Sequence, residues 1–204
     1  MAFSESLVSK LPASPENIFS KMSGLANRYN AINMSQGFPG FKSDDRLKEL
    51  VYKAMKDGYN QYAPLAGIPE LREEIVKKIE ELHGKKYHSD SEITLTAGAS
   101  QAINSAISAF VHPGDEVIIF APYFVEYVYY IDNHSGIPVA APTTETFQPD
   151  LSKLEPFITS RTKAIIINSP NNPSGAVYSH ETLTELGALL QEKETEFGNV
   201  IFLL

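Results

Sequence analysis

The sequence predicts an α/β protein of three layers, α/β/α, in which helices cover both faces of a mostly parallel β-sheet. Short apolar runs rich in β-branched residues alternate along the chain with segments whose apolar residues recur at helical spacing. This alternation of strand and helix patterns is typical of parallel sheets. The chain also has 204 residues, of which 43% are hydrophobic, so it is long and apolar enough to bury a sizeable core.

Five short apolar runs, each bounded by turn residues, predict strands that are buried on both faces. They are residues 93–95, 117–120, 138–141, 164–167 and 200–204. Amphipathic segments between and before these runs predict the helices. They are residues 47–55, 71–82, 102–110 and 183–190, preceded by a short helix near residue 18.

Capping residues predict where several helices begin and end. Ser14 followed by Pro15 is typical of a helix start, and Ser179 is expected to cap the start of the last helix. Gly58, Gly84 and Gly198 are expected to end helices, because glycine readily adopts the left-handed conformation found after a helix.

The first part of the chain differs from the rest in its pattern. Residues 1–45 contain extended and irregular signals, which predict an N-terminal arm and small-domain segment, whereas residues 46–204 predict a large domain. The strand pattern at residues 200–204 has no turn or polar tail after it. We therefore expect the 204 residues to be part of a longer polypeptide, with the large domain truncated; a ragged edge strand is the alternative.

Composition and charge exclude several classes of function. The formal net charge of -8 argues against a nucleic-acid partner, and the absence of cysteine excludes disulfides and Cys-ligated metals. The five histidines are scattered, so no metal site is expected. No apolar run approaches the ~18 residues of a membrane span, and the N-terminus does not resemble a secretory signal. These observations predict a cytoplasmic protein with no membrane partner.

Three segments with residues suited to ligand binding directly follow predicted strands. The small-residue turn at 96–102 enters a helix and exposes N–H groups that suit a phosphate. The aromatic residues at 123–130 include rings that can stack on a flat heteroaromatic ligand, and the Asn-Pro-rich segment at 168–175 can fix an amide. Taken alone, the small-residue turn is usually just a tight connection, aromatic rings of this kind are more often core, and the third segment is also compatible with a plain loop. Together they lie at the same edge of one sheet, where ligands bind in open α/β folds.

Seven short motifs resemble, in order and spacing, those of the class I/II aminotransferases, which are pyridoxal-phosphate enzymes of fold type I. They are residues 36–39, 60–62, 67–72, 96–100, 113–117, 122–124 and 171–175. The most specific is Asn-Asn-Pro-Ser-Gly at 171–175, and the resemblance extends from about residue 14 to the end of the chain. It implies that residues 46–204 form the large domain that binds pyridoxal 5′-phosphate.

The resemblance implies roles for individual residues at the cofactor. Ala99 and Ser100 match the turn whose backbone N–H groups bind the cofactor phosphate. Phe124 matches the ring that stacks on the pyridine. Asn172 matches the asparagine that hydrogen-bonds the 3′ oxygen, next to the substrate.

The resemblance also implies one residue that binds the substrate and one that binds the cofactor phosphate. Gly37 matches the N-terminal strip whose backbone faces the substrate carboxylate. Tyr62 matches the tyrosine that reaches the cofactor phosphate of a neighbouring subunit, which implies a homodimer.

The family's Schiff-base lysine and the aspartate at the pyridine nitrogen have no match in this chain and are expected beyond Leu204. No residue of the chain is therefore assigned as catalytic, and residues 1–204 alone are expected to be inactive. The implied reaction of the full-length protein is transfer of an amino group from an amino acid to a 2-oxo acid. A pyridoxal-phosphate-dependent carbon–sulfur lyase and a non-catalytic dimerising fragment stay open, and the amino donor is methionine, glutamine, an aromatic amino acid or aspartate.

Overall fold

The computed structural model describes residues 18–37 and 39–204. Its contacts divide the chain into two compact units, Met1–Leu65 and Ala66–Leu204. The domain boundary expected between residues 45 and 46 falls inside the first unit and stays a prediction. The predicted helix start at Ser14 and Pro15 lies outside the described residues.

The first unit contains two helices, α1 (Ile18–Tyr29) and α2 (Asp45–Lys56). The carboxylate of Asp44 caps α2 by accepting a hydrogen bond from the backbone N–H of Arg46 at 2.8 Å. Gly58, two residues after α2, has a φ of 96°, so it ends the helix as predicted. In the described part of the chain neither helix has a buried residue, and their apolar side chains are therefore largely exposed.

The second unit contains a four-stranded parallel sheet in the order β2-β1-β3-β4. Its strands are β1 (Glu116–Phe120), β2 (Ile137–Ala141), β3 (Thr162–Ile166) and β4 (Phe202–Leu203). Its helices are α3 (Pro69–His83), α4 (Ala99–Phe110), α5 (Glu126–Asn133), α6 (Leu151–Leu154) and α7 (His180–Phe197), with a short 3₁₀ turn at Glu155–Phe157. No helix among the described residues is long and apolar enough to cross a membrane.

Helices pack against both faces of this sheet. Successive residues of a strand point to opposite faces, so neighbours on β1 enter different clusters. Ile118 packs in one cluster with Leu186 of α7. Ile119 packs in the other with Ile107 of α4 and Ile131 of α5. The predicted three-layer α/β/α class with a parallel sheet is confirmed.

Two helix ends in the second unit agree with the predicted caps. Gly84 ends α3 and Gly198 ends α7, each with a positive φ, 65° and 68°. The Ser179 hydroxyl accepts a hydrogen bond from the backbone N–H of Thr182 at 3.0 Å and so caps the start of α7. These signals are local, which is why the sequence alone reveals them.

The prediction of a strand at residues 93–95 is wrong. These residues have no regular secondary structure and are not part of the sheet, and both Ile93 and Leu95 are half-buried. The backbone N–H of Leu95 donates to the carbonyl of Ala66 at 2.9 Å. A strand needs a ladder of such bonds, and within the described residues this segment pairs with none of the four strands.

The prediction that the strands are buried on both faces is also wrong for the two edge strands, β2 and β4. β4 spans two residues, not the predicted 200–204, and its Phe202 and Leu203 are 40% and 51% exposed. In β2, Ile137 is 41% exposed. An edge strand has a neighbouring strand on one side only, so its side chains are covered less than those of a central strand. The central strand β1 is buried along its whole length.

Candidate cofactor site

Two of the three candidate segments begin side by side at the C-terminal edge of the sheet. β1 and β3 are parallel neighbours, paired up to Ile119 and Ile166. Residues 121–125 follow β1 and residues 167–178 follow β3, so both start at this edge. The structure therefore places Phe124 and Asn172 on segments that leave the sheet together.

The third segment is the turn that enters α4. Gly98 has a φ of 90° and precedes the first helical residue, Ala99. The backbone N–H of Ala97 donates to the side-chain oxygen of Gln101 at 2.6 Å, which closes the turn. No hydrogen bond to another described residue uses the N–H groups of Ala99 and Ser100, and both residues are exposed. Free N–H groups at the positive end of a helix dipole fit a phosphate.

Tyr130 on α5 packs against the cluster that also contains Ile107 of α4. The Tyr130 hydroxyl donates to the carboxylate of Glu126 at 2.6 Å. Burial raises the pKa of Tyr130, and Glu126 raises it further. The phenol therefore stays protonated at neutral pH and keeps its bond to Glu126. Neither Tyr130 nor Glu126 was among the predicted site residues.

The Phe124 ring is held in place by Tyr127. The two rings meet edge to face, with centroids 5.6 Å apart and an interplanar angle of 78°. Tyr127 is buried in the cluster between α4, α5 and the sheet, and burial raises the pKa of its phenol. Phe124 is half-buried against the same cluster, so its ring is fixed while part of it stays accessible.

Asn172 lies in an exposed position with its side chain available. Its backbone N–H donates to Oδ1 of Asn168 at 2.8 Å, which fixes the backbone. Within the described residues its own amide makes no hydrogen bond. An asparagine side chain offers both a donor and an acceptor, so this amide can bind an oxygen of a ligand.

Asn171, the preceding residue, is buried and was not predicted as a site residue. Its side-chain N–H group donates to the carbonyl of Pro122 at 3.1 Å and to the hydroxyl of Ser174 at 2.8 Å. It therefore connects the segments that follow β1 and β3. Its place in the Asn-Asn-Pro-Ser-Gly motif was visible in the sequence, but its partner 49 residues away was not.

Gly37 and Tyr62 belong to the unit that ends at Leu65. Tyr62 is fully exposed there, and a Cβ at Gly37 would have no atom within 4 Å. Their roles at the substrate carboxylate and at the phosphate of a neighbouring subunit stay predictions.

Three lysines of the second unit, Lys153, Lys163 and Lys193, match no cofactor-lysine motif of the family. Lys163 is near the start of β3, at the opposite edge of the sheet. Lys153 is paired with Asp150 at 2.6 Å. Lys193 lies between Glu155 and Glu196, both at 2.8 Å, and these bonds raise its pKa further above the ordinary value. That no residue of the chain is catalytic stays a prediction.

Gly67 limits how the segment before the phosphate turn can pack. It is buried with a φ of 96°, and a Cβ there would lie 2.4 Å from the side chain of Leu95. We expect Gly67→Ala to lower the free energy of unfolding by about 1–3 kcal/mol, because it adds both backbone strain and an overlap. Urea denaturation measures this change.

The matched control is Gly187→Ala, in the middle of α7. Gly187 is exposed, and a Cβ there would meet nothing within 4 Å. Because alanine is a better helix former, this variant should gain roughly 0.5–1 kcal/mol. Equal stability changes in the two variants would contradict the close approach of Gly67 to Leu95.

Comparison with known proteins shows what this chain is similar to. The family model described as aminotransferase class I and II matches residues 29–195. The methionine aminotransferase of Escherichia coli strain K12 is 41% identical over 179 residues, which are 87% of this chain and 46% of that protein. The aspartate/prephenate aminotransferase of Thermus thermophilus is 39% identical over 165 residues, 80% of this chain and 43% of that protein.

Solved structures give the same result. An Escherichia coli structure described as having a methionine aminotransferase function matches with a TM-score of 0.88 and 38% identity over 97% of this chain and 50% of that chain. The chain thus spans about half the length of the relatives and structures that it matches. Members of the matched family depend on pyridoxal phosphate.

Proposed function

The chain belongs to the class I and II aminotransferases, and from this premise we propose that the intact protein transfers an amino group from an amino acid to a 2-oxo acid. Pyridoxal 5′-phosphate is the proposed cofactor. The observation that supports this most strongly is the shared location of the Phe124 and Asn172 segments at one sheet edge. Phe124 also packs against the cluster that contains Ile107 of α4, the helix whose first N–H groups are free of partners among the described residues.

Each of these groups suits a different part of the cofactor. The N–H groups of Ala99 and Ser100, with the dipole of α4, would bind the phosphate dianion. The Phe124 ring would cover one face of the pyridine and exclude water from it. The Asn172 amide would donate a hydrogen bond to the 3′ oxygen and orient the ring. When bound, pyridoxal phosphate supplies the electron-withdrawing ring that makes transamination possible.

We propose methionine as the first amino donor to test. Of the matched proteins, the one at 41% identity is a methionine aminotransferase, while one at 39% is an aspartate/prephenate aminotransferase. The difference in sequence identity between these two relatives is small, so glutamine, aromatic amino acids and aspartate are tested in the same assay.

The test is an amino-transfer assay with the intact protein and added pyridoxal phosphate. We expect each accepted donor to yield its 2-oxo acid only when a 2-oxo acid acceptor is present, with methionine turned over fastest. Release of a thiol together with a 2-oxo acid in the absence of an acceptor would favour a carbon–sulfur lyase instead. No visible absorbance from bound cofactor would favour a non-catalytic protein.

Residues 1–204 prepared alone serve as a control for this assay. We propose that they do not transaminate, because none of them matches the family's Schiff-base lysine or the aspartate at the pyridine nitrogen. Formation of a 2-oxo acid by this preparation would contradict the proposal.

We also propose that the intact protein is a homodimer. The first unit leaves large apolar side chains in water: Ile32 is 89% exposed and Met34 is 90% exposed. Apolar surface of this kind is typical of an interface. Light scattering on the intact protein should give twice the mass of one chain.

A further inference from the structure

Asn171 is a buried polar side chain whose two N–H groups are both used. One donates to the carbonyl of Pro122 at 3.1 Å, and the other donates to the hydroxyl of Ser174 at 2.8 Å. A carbonyl oxygen can only accept, so the amide must present its nitrogen to Pro122. Asn171 is 7% exposed, so water does not readily replace these partners.

This contact connects two segments beyond the point where their strands stop pairing. The β1–β3 ladder ends at Ile119 and Ile166. Pro122 lies two residues before Phe124, and Asn171 directly precedes Asn172. The backbone of Asn171 is itself fixed, because its N–H donates to the carbonyl of Ala176 at 2.8 Å and its carbonyl accepts from Gly175 at 2.7 Å.

We propose that Asn171 is a positioning residue: its side-chain amide sets the placement of the Phe124 ring relative to the Asn172 amide. It does not touch the cofactor. This inference rests on the proposed function, since it concerns the same pyridoxal-phosphate site. A side chain of the same shape but without an N–H donor could not perform this role, because the connection is the hydrogen bond to the Pro122 carbonyl.

Asn171→Asp tests the need for that donor. Aspartate has nearly the same shape, but a carboxylate cannot donate to the Pro122 carbonyl. Asn168→Asp is the matched control, because Asn168 uses only its oxygen to accept from the N–H of Asn172 at 2.8 Å, and a carboxylate still accepts. Both variants add one negative charge within three residues of each other, at a buried position in Asn171→Asp and at a half-buried position in Asn168→Asp. Asn171→Ala, which adds no charge, separates the loss of the donor from the burial of a charge.

Hydrogen exchange in the cofactor-free intact protein is the first measurement. The N–H of Ala121 donates to Ala141 at 3.0 Å and that of Tyr127 donates to Phe124 at 3.1 Å, so both report on the segment after β1. In Asn171→Asp we expect these two groups to exchange about fivefold faster than in the wild type, the effect of one lost hydrogen bond. In Asn168→Asp they should exchange at the wild-type rate.

Affinity for pyridoxal phosphate is the second measurement. We expect Asn171→Asp to bind it roughly tenfold more weakly than Asn168→Asp, because the ring and the 3′ oxygen then meet misplaced partners. If the wild type does not bind pyridoxal phosphate, the proposed function fails, and the exchange rates still report whether Asn171 connects the segments. If the wild type binds and the two variants bind equally, the proposal for Asn171 is overturned.

Ser174→Ala separates the two bonds of Asn171. It removes the Ser174 acceptor and leaves the Pro122 contact, so exchange should increase at Ala176, whose N–H donates to the Ser174 hydroxyl at 3.3 Å, but not at Ala121 or Tyr127. If Asn171→Asp does not fold, Asn171→Ala removes the donor without adding a charge and is measured in the same way. Wild-type exchange at Ala121 and Tyr127 in a folded Asn171 variant would overturn the proposal.

Discussion

Replacing Asn172 by alanine in the intact protein should lower kcat/KM for amino transfer by roughly 10- to 100-fold. A hydrogen bond to a charged oxygen contributes about 1.5–3 kcal/mol, and the 3′ oxygen of the proposed cofactor is the partner that such a bond requires. Since the Asn172 side chain makes no hydrogen bond within the described residues and is exposed, its loss should change the free energy of unfolding by less than about 0.5 kcal/mol. Steady-state kinetics and urea denaturation measure the two quantities.

Asn199→Ala is the control for this variant. Asn199 lies at the opposite edge of the sheet, where its side chain donates to the carbonyls of Ser160 and Thr162 at 3.3 and 3.4 Å. We expect its kcat/KM per folded molecule to equal that of the wild type, although its stability falls. Wild-type kcat/KM in Asn172→Ala would contradict a role for this amide at the cofactor.

Asn172→Asp distinguishes a lost donor from lost volume. The carboxylate keeps the size of the side chain but presents an acceptor and a negative charge where the proposed ligand has an anionic oxygen. Like charges repel, so this variant should lose more kcat/KM than Asn172→Ala. A smaller loss than in the alanine variant would mean that the side chain accepts a hydrogen bond and does not donate one.

The parts of the fold that the sequence predicted correctly depend on neighbouring residues. The Ser179 hydroxyl caps a helix three residues away, and Gly84 ends the helix that immediately precedes it. The central strands β1 and β3 were recognisable from continuous apolar runs, because both faces are covered by helices. In each case the physical cause lies within a few residues of the signal.

The parts that could not be predicted depend on distant partners. Whether residues 93–95 form a strand is decided by the presence of a neighbouring strand, not by their apolar character. The bond from Asn171 to Pro122 spans 49 positions, so no local pattern reveals it. Helix α5 is different: buried Tyr127 and Ile131 are four residues apart, a helical spacing that the density of aromatic residues obscured.

Ile118→Ala should lower the free energy of unfolding by about 2–5 kcal/mol, which is a large share of the 5–15 kcal/mol typical of a whole domain. Ile118 is 0% exposed in the middle of β1. It is paired with Val139 of β2 on one side and Ile165 of β3 on the other. Because both neighbouring strands are held in register, the surroundings cannot collapse into the space left by the side chain, so the cost should be near the upper end of this range.

Two controls separate the cavity from other causes of instability. Ile118→Val removes a single methylene group and should cost about 0.5–1.5 kcal/mol. Ile137→Ala is the same substitution as the test but at the outer strand β2, where the side chain is 41% exposed, so its cost should be smaller. Equal losses in Ile118→Ala and Ile137→Ala by urea denaturation would contradict a core centred on β1. Since the segments with Phe124 and Asn172 leave the sheet from β1 and β3, such a result would also remove the rigid base on which the proposed cofactor site depends.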